Sequence, residues 1–341
     1  PSQAVSITID TDPPAVPDVP VVTDNVAQGT GPVADNGSTN DPRPVLSGTG
    51  VANDVITIYD SASANPGNVV GTVTVDANGN WSWRPEGNLT EGDHTFTTTA
   101  TDPAGNESIA SGGITVTVDI SAPEIPVITT VGGAGNGGAT DDTTPAIAGT
   151  LENADGDATE VIIYNNGVEI GRAPIIDGAW TFTPTTALPD GPLNLTAAAV
   201  DAAGNLSATS PAVTVTIDTL APSVPQIDEV EGATLVGDIL YSRDSTPTIT
   251  GTGEPGSRIT VTIDGTALES SPTVQPDGTW SITLPGNLAL SDAAHTIEIV
   301  ATDPAGNTTS GEPISLTVDT TPPGAPTVTD LAPEGTPLTG T

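Results

Sequence analysis

The sequence predicts an all-β protein built of tandem β-sandwich domains arranged as an extended rod. Three observations predict it. A pattern of turn residues and aspartates returns with a period of about 100 residues across the 341-residue chain. Between the turns, apolar residues alternate with threonine in short runs, the period of a half-buried antiparallel strand. No stretch carries the periodicity of a helix.

The repeat is plainest in one loop. Asp102-Pro103-Ala104-Gly105-Asn106 returns as Asp201-Ala202-Ala203-Gly204-Asn205 and as Asp303-Pro304-Ala305-Gly306-Asn307. A boundary motif recurs as well: a strand ending in Asp, then a proline-rich step, at Asp10-Thr11-Asp12-Pro13, Asp119-Ile120-Ser121-Ala122-Pro123, Asp218-Thr219-Leu220-Ala221-Pro222 and Asp319-Thr320-Thr321-Pro322. Such linkers are short and stiff. They divide the chain into residues 1–10, the last strand of a preceding repeat, then repeats at 11–119, 120–218 and 219–319, with the start of a further repeat at 320–341. The chain reads as an internal segment of something longer, so targeting signals cannot be judged from it.

Within each repeat the strands align. Val55–Tyr59 matches Val161–Tyr164 and Ile259–Ile263. Phe96–Ala100 matches Leu195–Ala199 and Ile297–Val300. Ile114–Val118 matches Val213–Ile217 and Ile314–Val318. About seven strands in 100 residues is the count of an immunoglobulin-like sandwich, whereas a propeller blade would be shorter. A tight turn ending in Gly-Asn-Trp81, Asp177-Gly178-Ala179-Trp180 or Asp277-Gly278-Thr279-Trp280 leads into a strand that packs its ring inward as a core anchor. The other reading of these rings, Trp81 and Trp83 above all, is a platform on which a sugar stacks.

Composition restricts the function. Forty-three acidic residues face five arginines and no lysine, for a net charge of −38. Nucleic acid and anionic membrane surfaces are excluded, since both need a positive footprint. Repulsion at this density opposes a compact state unless cations neutralise it. Disorder, adaptation to high salt or a bound divalent cation would each account for it. The alternating patterns oppose disorder, and the acid sits in loops at matching positions, which favours the cation. The chain has no cysteine, so disulfides contribute nothing to stability. No apolar run is long enough to span a bilayer.

Sandwich topology places the candidate ligands. The last strand of one repeat ends near the loop that follows the sixth strand of the next. Asp10 is therefore expected beside Asp102, Asp119 beside Asp201, and Asp218 beside Asp303. Calcium takes six to eight oxygens from carboxylates, amide and backbone carbonyls and water. Asp12, Asn106, Asn205 and Asn307 add oxygens, and the loop between the second and third strands adds Asn53 or Asp54, Glu152 or Asp155, and Glu254. The same loop Asp also makes an Asx-turn without any metal. A second acidic group (Asp41, Asp141 or Asp142, and Asp244, with Asp24, Asp35, Asp228, Asp93, Asp190 and Asp292) is expected at the other pole as an intradomain calcium site. It is poorer in the second repeat, where Val131-Gly132-Gly133-Ala134-Gly135-Asn136 replaces the acidic stretch.

His94 and His295 invite an enzymatic reading, but the second repeat carries Leu193 in that register. No catalytic set, phosphate loop or zinc spacing repeats, so no enzyme is expected.

The boundary step, the tryptophan turn and the Asp-Pro-Ala-Gly-Asn loop, in this order and three times over, resemble the bacterial immunoglobulin-like repeats of giant surface adhesins. The nearest resemblance is to the calcium-binding giant non-fimbrial adhesins, that of Salmonella among them, and to biofilm-associated proteins. The second repeat departs from the pattern at Asp201-Ala202 and in its shortened tryptophan turn. The resemblance implies type I secretion, a bacterial cell-surface location, a role in virulence or biofilm, and a monomeric stalk stiffened by calcium between neighbouring repeats. Host-surface glycans would then be bound by other parts of the parent protein. Two other functions stay open: a glycan-binding module, and an accessory array on a secreted polysaccharide-degrading enzyme.

Overall fold

The computed structural model describes residues 7–152 and 157–326. The first repeat contains β1 (Val21–Asp24), β2 (Gly31–Val33), β3 (Gly37–Thr39), β4 (Val45–Thr49), β5 (Val55–Asp60), β6 (Val69–Thr74), β7 (Asn80–Trp83), β8 (Gly92–Thr101) and β9 (Ile114–Val118). The second contains β10 (Val127–Val131), β11 (Gly138–Thr140), β12 (Ile147–Thr150), β13 (Ala158–Asn165), β14 (Val168–Pro174), β15 (Ala179–Phe182), β16 (Gly191–Asp201) and β17 (Val213–Ile217). The third contains β18 (Gln226–Val230), β19 (Thr234–Val236), β20 (Ile239–Ser242), β21 (Thr248–Thr252), β22 (Arg258–Ile263), β23 (Thr266–Ala267), β24 (Thr279–Thr283), β25 (Ala294–Thr302), β26 (Thr308–Ser310) and β27 (Ile314–Val318).

Each repeat pairs a smaller sheet with a larger one. The smaller sheets run β2-β1-β4-β7, β10-β12-β15 and β18-β21-β24. The larger ones run β3-β9-β8-β5-β6, β11-β17-β16-β13-β14 and β19-β20-β27-β25-β22-β23, with β26 against β25. The strands outnumber the seven expected because the first strand of the sandwich is shared between both sheets. In the first repeat β1 pairs antiparallel with β4, then the chain crosses and β3 pairs parallel with β9. In the third, β18 joins β21 and β20 runs parallel to β27.

The alternation places the core. In β5 and β8, Ile56, Ile58 and Phe96 are fully buried between the sheets, with Val116 beside them on β9 and Leu46 opposite on β4. The third repeat buries Ile249, Ile259, Val261, Ile297 and Leu316 in the same way. Each repeat lays a tryptophan across a cross-strand glycine: Trp81 over Gly48, Trp180 over Gly149, Trp280 over Gly251. A side chain at these glycines would occupy the space of the indole.

Ile7–Asp10, expected as a strand, forms none. Its alternating Ile7 and Ile9 are exposed, because no neighbouring strand covers them among the described residues. The chain divides into two compact units, one within Pro1–Gly137, Thr144–Leu188 and Pro192–Val215, the other within Gly138–Thr143, Pro189–Gly191 and Thr216–Thr341. Every seam described below lies inside one unit.

Candidate metal centre at the repeat junctions

The Asp-x-x-Gly-Asn loop folds the same way three times. In the first repeat Asp102 Oδ1 accepts the backbone N–H groups of Ala104 and Asn106, both at 2.9 Å. Asp201 Oδ1 accepts from Gly204 and Asn205, and Asp303 Oδ1 from Ala305, Gly306 and Asn307. The glycine takes positive φ (96°, 96° and 108°), which closes the turn without strain. The other carboxylate oxygen accepts the asparagine side-chain amide at 2.8, 2.8 and 2.9 Å.

That amide has a second bond, and it crosses the seam. Asn106 Nδ2 donates to the backbone carbonyl of Asp10 at 3.2 Å, Asn205 to that of Asp119 at 2.9 Å, and Asn307 to that of Asp218 at 2.8 Å. Each strand-end Asp is thereby brought beside the loop Asp of the following repeat. Its own carboxylate turns the linker: Asp10 accepts from the Asp12 N–H, Asp119 from Ser121, Asp218 from Leu220. Asn106, Asn205 and Asn307 thus act through their amide hydrogens, a role the sequence reading, which offered them as oxygen donors, did not include.

The acid preceding the sixth strand holds the linker that leaves its own repeat. Glu91 accepts from the Ile120 N–H and the Ser121 hydroxyl, Asp190 from the Thr219 hydroxyl, and Asp292 from the N–H and hydroxyl of Thr320. In this loop Asp93 was the expected ligand and Glu91 was not, but Asp93 binds the Thr117 hydroxyl instead. The lead to Glu91 was its position one residue before Gly92, as Asp190 stands before Gly191.

A further carboxylate lies against the first seam. Asp54 is 3% exposed. No hydrogen-bond donor reaches its carboxylate among the described residues, and burial, reinforced by the charge of Asp102, pushes its pKa up. Asp102 itself is held down, chiefly by the Asn106 amide. At the second seam, burial and then the charges of Asp201, Glu91 and Asp157 raise Asp119, against the lowering bond from Ser121. Asp157, whose charge acts on Asp119, was not among the expected ligands. Asp155 lies outside the described residues, and Glu152 is exposed. At the third seam the register position of Asp54 is filled by Ser257, whose buried hydroxyl has no partner among the described residues. Here Glu254 accepts the linker N–H of Ser223 at 2.9 Å.

The second acidic group has its own work. Asp41 is buried against Arg84, with Nη2 at 3.2 Å, and also accepts the N–H groups of Arg43 and Asn25. Asp24 accepts from Val26 and the Thr39 hydroxyl. Asp244 accepts from Thr246, and the Asp142 N–H donates to the Thr140 hydroxyl. These bonds turn the chain from one sheet into the other. The group also does not stand apart from the junctions. Asp119 N–H donates to Thr39 O and Asp218 N–H to Thr140 O, so it shares the end of the repeat with the strand-end Asp. The Asp141 N–H reaches Ala305 O of the third repeat's loop at 3.2 Å, and Asn40, whose Oδ1 is buried without a partner, packs on Gly204.

His94 bonds Asp60 and the Thr90 carbonyl, and His295 bonds Asp264 and the Ser291 carbonyl. Both rings are pinned on both nitrogens. Trp81, Trp180 and Trp280 are 4%, 2% and 2% exposed, which leaves half-buried Trp83 as the one tryptophan with a partly open ring.

The donors at each seam are oxygens alone, the chemistry of a hard dication. Among the described residues Asn40 Oδ1 is a buried acceptor lacking a partner, and the Asp54 carboxylate receives no hydrogen bond. Yet among the described residues no three acidic or histidine side chains stand close enough to form a ready cage. An ion here would draw further oxygens from carbonyls and water.

Sandwiches in tandem, joined by short proline steps, define an immunoglobulin-like repeat protein. The chain belongs to the bacterial Ig-like domain family, whose model matches residues 16–120, 126–219 and 238–320. It is similar to exoglucanase B of Cellulomonas fimi, 33% identical over 144 residues, which cover 39% of the chain and 12% of that enzyme's length. Among solved structures it is similar to the fibronectin(III)-like modules of Clostridium thermocellum CbhA, with 18% identity, TM-score 0.39, and 56% and 94% of the two chains covered. It is also similar to a tetra-tandem repeat from the extending region of a large adhesion protein, with 24% identity, TM-score 0.28, and coverage of 83% and 71%. A third is a Ca2+-stabilized adhesin of an Antarctic bacterium that binds ice, with 23% identity, TM-score 0.32, and coverage of 82% and 70%. These likenesses concern the fold and single out no one adhesin.

Proposed function

We propose that this chain is a non-catalytic spacer in a secreted or surface-held bacterial adhesin, and that calcium at its seams sets its stiffness. The observation that carries the reading is the threefold seam itself. A strand-end Asp, a loop Asp and a clasping Asn meet at Asp10/Asp102/Asn106, Asp119/Asp201/Asn205 and Asp218/Asp303/Asn307. Asp119 feels the charge of Asp201 and Asp54 that of Asp102, and among the described residues no cationic side chain pairs with these carboxylates. A divalent ion would turn that repulsion into attraction, and would most relieve Asp54 and Asp119, which burial and neighbouring carboxylates disfavour as anions. Interfaces this small leave motion between domains as the default. The hydrogen-bond clasp therefore supplies a loose join, and the ion a firm one.

Calorimetric titration of calcium into chelator-stripped protein, paired with solution scattering, tests this. Binding is expected together with an increase in maximum dimension, while the sandwiches stay folded in chelator. Absence of binding, or an identical scattering profile with calcium and with chelator, overturns it. The similarity to part of exoglucanase B gives the accessory-array reading one specific support. Such an array would share the fold and the ion, and differ in what flanks it.

A further inference from the structure

The third repeat has a feature that the other two lack among their described residues. The stretch after β18 forms a hairpin, β19 and β20, paired as Thr234↔Tyr241, Leu235↔Leu240 and Val236↔Ile239. β19 is the edge of its sheet and β18 the edge of the other. In the first repeat the corresponding stretch instead forms β2, laid against β1 in the smaller sheet. Natural edges are blunted by shortness, charge, proline or a bulge. Thr234-Leu235-Val236 is short but has no charge, proline or bulge, and Leu235 and Val236 are 64% and 62% exposed. Ile239 and Tyr241 continue the exposed apolar surface on β20.

Between the two edges lies a groove of about 270 Å³. Ile227, Leu235, Leu240 and Ile314 line it, and Asp228 and Glu229 stand at its rim. Glu231 and Asp238, both exposed, flank it in the turns before and after β19.

We infer that this edge receives an extended segment of another protein in which apolar and cationic residues alternate. The two-residue turn after Val236 sets the ladder, so Leu235 directs its N–H and C=O away from β20, where only a further strand can pair with them. The partner's apolar side chains enter the groove, and its lysines or arginines meet Asp228, Glu229 and Asp238. Charge decides the occupant: a second copy of a chain at −38 would bring acid onto acid.

The test uses the whole chain and a fluorescein-labelled nine-residue peptide of alternating lysine and valine, read by anisotropy. Saturable binding is expected, weakened tenfold or more by Leu235→Asp, by Asp228→Asn with Glu229→Gln, and by N-methylation of alternate peptide residues. All three protein positions are exposed, so unchanged melting of the variants is the check on folding. The inference is overturned by no binding at about 1 mM peptide, by equal binding of a glutamate–valine peptide, or by indifference to Leu235→Asp. Dimerisation of the protein alone that Leu235→Asp abolishes would overturn it too, by assigning the edge to a second copy.

Discussion

The side-chain amide of Asn205 reaches the backbone carbonyl of Asp119 at 2.9 Å, across the seam between two repeats. The same amide holds the Asp201 carboxylate at 2.8 Å. One residue thus completes a turn within its own repeat and ties that turn to the preceding one. A backbone carbonyl is the acceptor, so the clasp does not depend on which side chain ends the preceding strand. It also holds Asp119 and Asp201 near each other.

Removing the clasp should loosen the seam and leave the sandwiches intact. Asn205→Ala deletes one hydrogen bond within the loop and one across the seam, each about 1 kcal/mol. The expected outcome, measured by distance distributions between spin labels on the first two repeats in chelator, is a broadened distribution with little change in the melting of either repeat. Asn205→Asp should broaden it further, since a third carboxylate joins the seam. An unchanged distribution in both variants would remove the clasp from the account.

Asp54 should change sign with calcium. Its raised pKa means the folded state disfavours the anion. That penalty is present at neutral pH and is relieved as pH falls through the folded value toward the ordinary carboxylate range. Asp54→Asn abolishes the penalty and should raise the melting temperature in chelator at pH 7. In calcium the same substitution removes a ligand and should lower the melting temperature relative to wild type. A rise under both conditions would exclude Asp54 as a ligand.

Much of this was legible in the sequence, for identifiable reasons. The strands could be read because one face of each is buried, which forces alternation in Val55–Asp60 or Ile259–Ile263. The pairing of Asp119 with the Asp201 loop followed from topology alone. What escaped was set by three-dimensional neighbours. Asn106 could be seen, but not whether its oxygen or its nitrogen would face Asp10. Asn136 looked like a lost acidic ligand, yet it accepts the Thr214 N–H as Asp35 accepts that of Thr115, a role either residue fills. Arg84 is 43 residues from Asp41, and nothing local announces their contact. The β19–β20 hairpin was hidden because its apolar residues are exposed and so carry no inward alternation.

The two histidines should make stability fall through neutral pH. Burial alone would lower both. For His94 the bonds to Asp60 and Thr90 and the charges of Asp60 and Asp93 outweigh it, and for His295 the bonds to Ser291 and Asp264 do, so both stand above 6.5. A raised histidine stabilises fully below its unfolded pKa, and that contribution is lost as pH rises through the folded value. The melting temperature should therefore decline as pH rises from about 6.5 through the raised folded values. A His94→Leu, His295→Leu double variant, which copies Leu193 of the second repeat, should be flatter over this window. Parallel curves for the two proteins would show that the rings stay neutral when folded.

The glycines beneath the tryptophans should rank by what surrounds them. A methyl group at Gly149 would meet both the Trp180 ring and the Val127 carbonyl, and at Gly251 both the Trp280 ring and the Gln226 carbonyl. At Gly48 the three nearest atoms all belong to the Trp81 ring, and they lie farther off. Two rigid obstacles leave no direction for relief, whereas a single ring can tilt. Gly149→Ala and Gly251→Ala should each cost about 1–3 kcal/mol, or roughly 4–8 °C per kcal/mol for a domain of this size. Gly48→Ala should cost less. Scanning calorimetry resolves this, because only the component of the altered repeat should move. Equal shifts at all three positions would mean that the smaller sheet yields as readily as the ring, and that the carbonyl is no barrier.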